Sequence, residues 1–99
     1  MYTIDEIKKK ATPIAEEYGV KSLKLFGSYA KGQNNEDSDI DFIVNKGKME
    51  TLFQYISFVN RLEEAFGCHV DVVSTEIEDQ NFINNINKDS ILLYDKLCI

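Results

Sequence analysis

The stretch Gly27-Ser28-Tyr29-Ala30-Lys31-Gly32-Gln33-Asn34-Asn35-Glu36-Asp37-Ser38-Asp39-Ile40-Asp41-Phe42-Ile43-Val44 reads GSYAKGQNNEDSDIDFIV. A glycine-bracketed turn is followed by a polar loop, and Asp37, Asp39 and Asp41 then run at alternate positions into an apolar segment. In an extended chain residues i and i+2 point the same way, roughly 6.6 Å apart. Asp39 and Asp41 therefore share one face of a strand over 39–45, and Ile40, Phe42 and Val44 share the other. Two carboxylates brought to 4 Å repel by roughly 4 kcal/mol at an effective dielectric near 20. A cation between them turns that repulsion into binding, and an oxygen-only ligand set favours a hard ion, magnesium or manganese, over zinc.

Outward from this stretch the pattern is that of a small mixed α/β domain. Thr3 and Glu6 have the spacing of a capping box. Ile4, Ile7, Ala11, Ile14, Ala15 and Tyr18 then recur at helical spacing until Gly19, with Pro13 either kinking the helix or restarting it. Lys21 to Phe26 alternates as a short strand, and Gly27-Ser28 leads into a short helix at 29–31. Met49, Leu52, Phe53, Ile56, Val59, Leu62 and Phe66 mark a long amphipathic helix closed by Gly67. A strand follows over 68–74, then a short helix over 79–87 and a final strand over 91–94. The order α-β-β-α-β-α-β predicts an α+β fold: a small mixed sheet of three to four strands with helices packed mostly on one side.

His69-Val70-Asp71-Val72-Val73 places an acid among valines in what the pattern makes an interior strand. A carboxylate there is costly unless it is paired or employed. If this strand lies beside the Asp39 strand, three carboxylates meet, as in two-metal sites with ions about 3.5–4 Å apart that serve in-line phosphoryl and nucleotidyl transfer. The turn complements them. Glycine allows close backbone approach, and amides at a helix start together with the Ser28 hydroxyl suit a phosphate. An anion-binding turn beside a cation-binding cluster fits a metal–triphosphate complex.

Two rival motifs fail. Gly27 and Gly32 have Walker A spacing, but Gln33-Asn34 stand where Lys-Ser/Thr is required. Counted from Asp37, an EF-hand loop would need Gly at Phe42 and Glu at Lys48.

Composition bounds the rest. The 99 residues, 43% hydrophobic with 11% aromatics, are enough for one domain spanning 1–99 and one modest core. No apolar run approaches the roughly 20 residues of a membrane span, and no signal-type core follows the N-terminus, so the expected location is cytoplasmic. A net charge of −6 argues against a direct grip on nucleic acid. Lys8, Lys9 and Lys10 read as a solvated helix face, and Glu36 and Asp37 as solvated loop charges. Cys68 and Cys98 read as buried structural cysteines rather than a disulfide or, for Cys68 with His69, a metal pair.

Gly27-Ser28, ten intervening residues and Asp39-Ile40-Asp41 resemble the G-S-x10-D-x-D signature of the polymerase-beta-like nucleotidyltransferase superfamily. GSYAKG…SDIDFIV is similar to its usual GSxARG…SDIDLxV. The short chain narrows the resemblance to minimal nucleotidyltransferases, small partners encoded beside HEPN-domain proteins in prokaryotic toxin–antitoxin pairs. The resemblance implies that Gly27 and Ser28 hold a triphosphate and that Asp39 and Asp41 hold two metal ions, magnesium or manganese. It makes Asp71 the third carboxylate, which helps bind one ion and accepts the proton of the attacking hydroxyl. Lys31 stands where the family has Arg, replacing a bidentate fork at the nucleotide with a point charge. The implied reaction moves a nucleoside monophosphate, AMP from ATP, onto a hydroxyl. In antitoxin members that hydroxyl is a tyrosine of the HEPN toxin. The alternative is a non-catalytic nucleotide-binding antitoxin that neutralises its partner by contact; the intact acids argue against it. The long helix or the C-terminal segment is the candidate surface for self-association or for the partner.

Overall fold

Each helix is delimited by its own sequence. In the computed structural model, which describes residues 2–33, 35, 39–76 and 79–96, Thr3 and Glu6 form the expected capping box at the head of α1, Ile4–Tyr18. Gly19, in the left-handed conformation, ends it. Pro13 is accommodated within this one helix. A second capping box, Thr51 with Gln54, starts α3 at Leu52–Phe66. Met49, expected in that helix, is instead buried in the segment that precedes it. The remaining elements are β1 (Ser22–Phe26), α2 (Ser28–Lys31), β2 (Ile40–Asn45), β3 (Val70–Ser74), α4 (Gln80–Asn87) and β4 (Ile91–Asp95).

The four strands form one sheet in the order β3-β2-β1-β4. β1 is antiparallel to β2 and to β4, and β2 and β3 are parallel. The antiparallel pair puts Phe26 opposite Asp41, and the parallel pair puts Asp41 opposite Asp71. These three residues therefore form a row across one face. The strand carrying Asp71 does neighbour that of Asp41, as expected, but it is an edge strand and not an interior one. Asp71 is about half exposed, at 52% of its side chain, so its desolvation cost is lower than an interior position would impose.

The other face holds the core. Leu23, Leu25, Ile40, Phe42, Val44 and Val70 pack against Ile7, Ala11, Ile14 and Ala15 of α1 and Phe58, Leu62 and Phe66 of α3. A register shift between Leu23 and Lys24 in the β1–β4 pairing lets the adjacent residues Leu93 and Tyr94 both be buried. Two tyrosine hydroxyls fasten α3: Tyr2 donates to the Phe66 carbonyl at 2.6 Å and Tyr55 to the Val72 carbonyl at 2.9 Å. Of the expected lysine face, Lys10 donates from Nζ to the Ala65 carbonyl and lies over the Tyr2 ring, linking α1 to α3.

α4 lies on the opposite face. Its Ile83 is buried outside the main core, and Lys24 Nζ, which alternates with the core-facing Leu23 and Leu25, reaches Asn87 Oδ1 at 3.4 Å. The sheet thus has two helices on one side and one on the other. At the start of α3, Leu52, Phe53 and Ile56 are exposed, so the apolar stripe read from the sequence is only partly core. Among the described residues no helix is long and apolar enough to cross a membrane.

Candidate active site

Every candidate residue lies on the α4 side of the sheet or at its rim. Gly27 turns the chain out of β1 with φ 76° and ψ −151°, a conformation open essentially only to glycine. The turn also needs glycine for space, because a methyl group there would run into the Asp41 carboxylate. The two halves of the sequence motif are thus in contact. Ser28 begins α2, and the amides of Ser28, Tyr29 and Ala30 have no acceptor within the turn. No other acceptor takes them among the described residues. The Tyr29 side chain is buried in the core and anchors the turn from below, while Lys31 is exposed.

The carboxylates converge in sequence along the row. Asp41 is pushed up to about 6, first by partial burial, then by the charge of Asp71 and a hydrogen bond with it, then by the charge of Asp39. A carboxyl held that high by burial and by neighbouring acids is the electrostatic mark of a group missing a counter-charge. Asp39, at the mouth of β2, has a carboxylate oxygen within 4.8 Å of donor atoms of both Asp71 and His69. Among the described residues the donor atoms close enough for one divalent ion are those of Asp39, His69 and Asp71, while Asp41, hydrogen-bonded to Asp71, stands beside that group; the acids and their mutual repulsion fit a cation.

His69 is the residue that sequence reasoning missed. Set aside as half of a doubtful Cys–His pair, it lies one strand period before Asp71 and so on the same side. Its Nε2 lies 3.0 Å from Asp71 Oδ1 and its Nδ1 lies 3.2 Å from Glu63 Oε2. The hydrogen bond to Asp71 and that carboxylate's charge hold the imidazole above its ordinary value, with smaller help from Asp39 and Glu63. The signal was available in the alternation His69-x-Asp71, which mirrors Asp39-x-Asp41. Cys68, expected to be buried, is exposed, because β3 begins only at Val70 and leaves it in the approach to the strand. Glu36, Asp37 and Cys98 lie outside the described residues.

Beside the turn, a cavity of about 260 Å³ is lined by Phe26, Gly27, Lys31, Asn85, Ile86 and Asp89. It lies between the turn and the end of α4.

The chain matches the family model described as polymerase beta, nucleotidyltransferase, over residues 9–97. A protein of Methanocaldococcus jannaschii provisionally named a protein adenylyltransferase is 40% identical over 89 residues, 90% of each chain. The protein adenylyltransferase MntA of Thermococcus cleftensis is 35% identical over 77 residues, 74% of this chain and 78% of its own. Among solved structures, a toxin–antitoxin complex with AMP-PNP superposes with a TM-score of 0.78 at 20% identity, covering 90% of this chain and 73% of the other. A complex of a tri-AMPylated Shewanella oneidensis HEPN toxin with its MNT antitoxin gives 0.71 at 17% identity, covering 92% and 71%. At those identities the structural likeness is one of fold.

Proposed function

The chain belongs to the polymerase beta nucleotidyltransferase family, and from that premise we propose that it transfers AMP from ATP to a tyrosine hydroxyl of a HEPN-domain toxin, acting as its antitoxin. The observation that carries the reading is the register Asp41↔Asp71 beside a glycine turn packed directly against the Asp41 carboxylate. The adenylyl group and the HEPN partner are supported by the name of the Thermococcus relative and by the Shewanella complex.

Asp39, Asp41 and Asp71 would hold magnesium, two ions in the full site. Bound there, the ions would polarise the phosphoryl oxygens and offset the charge that develops during displacement. The protein's own groups do the rest. The amides of Ser28 to Ala30, without an acceptor among the described residues, and the Ser28 hydroxyl donate to the terminal phosphates, and Lys31 at the adjoining cavity adds a positive charge. The acceptor's oxygen attacks the α-phosphorus, the bond from that phosphorus to the bridging oxygen breaks, and pyrophosphate leaves with the electron pair. Asp71 takes the hydroxyl proton. Its half exposure at a sheet edge leaves it reachable by a side chain presented by another protein.

Incubation with ATP, magnesium and the HEPN protein encoded beside it, followed by intact-mass measurement of that protein, tests the reading. The expected result is a gain of one or more AMP units with the wild-type chain and none with Asp39→Ala/Asp41→Ala. Toxin neutralisation that survives in the double variant without any mass gain would replace the transferase by the contact antitoxin.

A further inference from the structure

We infer that His69 is a ligand of the ion held by Asp39 and Asp71, which makes this half of the metal site a mixed nitrogen–oxygen site that prefers manganese to magnesium. The inference rests on the proposed metal role of the acids and extends it to the identity of the ion. Three observations support it. The donor atoms of Asp39, His69 and Asp71 all lie within 4.8 Å of one another, a separation that one ion can span. The second nitrogen of His69 is engaged by Glu63 at 3.2 Å, the carboxylate–histidine arrangement that orients metal-bound imidazoles and fixes which nitrogen faces the ion. Glu63, on α3, is itself anchored, since its Oε2 accepts the backbone N–H of Val70 at 3.3 Å and so ties the orienting group to the start of β3.

The chemistry of the ion follows from the donors. Magnesium binds oxygen almost exclusively and surrenders water reluctantly, so an imidazole adds little to its binding. Manganese, though the weakest of the first-row series for such donors, accepts an imidazole nitrogen more readily than magnesium does. Asp41 sits opposite Asp71 on the neighbouring strand, with its carboxylate against the Gly27 turn that would carry the phosphates. The site is therefore asymmetric, with a nitrogen-containing end at the strand edge and an all-oxygen end beside the nucleotide.

The test uses the full chain without nucleotide and manganese as the probe. Pulsed electron paramagnetic resonance of the bound ion is expected to show coupling to a directly ligated ¹⁴N nucleus, lost in His69→Ala. Titration followed by the signal of the free aquo ion is expected to show manganese binding weakened ~10- to 100-fold in His69→Ala, with magnesium affinity, read by competition, nearly unchanged. Glu63→Gln should weaken manganese binding by less and keep the nitrogen coupling. A bound manganese ion without ¹⁴N coupling in the wild type, or the same manganese-to-magnesium preference in His69→Ala, overturns the inference. The coupling is measured on the wild type, so it decides the matter even if His69→Ala fails to fold. A chain that adenylylates its partner but shows no nitrogen ligand refutes the role of His69 alone. A chain with the nitrogen ligand and no transfer refutes the transferase and leaves the metal ligand standing.

Discussion

The two faces of the same four-stranded sheet solve opposite problems. On one, Leu23, Leu25, Phe42 and Val44 meet α1 and α3, and every neighbour lowers the free energy of its partner by removing apolar surface from water. On the other, Phe26, Asp41 and Asp71 stand in a row, and each carboxylate raises the free energy of the next. A strand has only two faces and alternates between them, so β2 supplies both with the same six residues, Ile40–Asn45. The contrast teaches that the apolar face holds the fold and the acidic face is tolerated by it, which is what a site requiring an external counter-charge looks like.

The largest expected effect separates the faces completely. Asp39→Ala/Asp41→Ala should lower the transfer rate by at least ~10³-fold, about 4 kcal/mol of transition-state stabilisation, while circular dichroism shows an intact fold. The converse change is Phe58→Ala on the core face, where the ring is fully buried against Tyr18. It should cost ~3–5 kcal/mol of stability in urea unfolding and leave the activity per folded molecule unchanged. Equal losses of activity per folded molecule from the two changes would erase the comparison.

Gly27→Ala acts at the seam. It forces a side chain into a left-handed conformation and against the Asp41 carboxylate. The expected cost is ~1–3 kcal/mol of stability, with a larger proportional loss of transfer, since the carboxylate must move to make room. A variant with normal turnover would show that Gly27 serves the turn alone.

The smallest effect is one of sign. Partial burial and the neighbouring acids push Asp41 up to about 6 in the folded chain, against 3.8 for a fully solvated aspartate, so the folded state holds its proton longer than the unfolded state. Stability of the metal-free chain should therefore fall as pH rises from about 4 to about 6 through this group, then level off. Asp41→Asn removes that slope, and thermal melts at pH 7 without metal should place the variant above the wild type. Added magnesium should stabilise only the wild type. A variant melting below the wild type at pH 7 would mean that Asp41 is already compensated within the protein.

Most of this was legible in the sequence because period and caps are local. The Thr3–Glu6 box, the Gly19 and Gly67 stops and the alternation in 39–45 each depend on residues within a few positions of one another, and each appears in the structure. The pairing of the Asp41 and Asp71 strands was an assumption, since a register between distant segments leaves no local trace; the resemblance to known transferases supplied the reason to make it. Asp71 was misplaced to an interior strand because flanking valines look alike at an edge covered on one side by a helix. His69 was missed because its partners, Glu63 on α3 and Asp71 on β3, come together only through the turn at Gly67. Met49 fitted the helical stripe but is buried ahead of the helix, where Thr51 rather than hydrophobicity sets the start.

The most direct test follows the fate of one phosphorus. With the wild-type chain, magnesium and the proposed HEPN partner, ATP labelled at the α-phosphate should leave label covalently on a tyrosine of that partner, and ATP labelled at the γ-phosphate should leave none. Label arriving from the γ-position, or α-label that appears equally with Asp39→Ala/Asp41→Ala, would contradict the assignment of the acidic face as the site of adenylyl transfer.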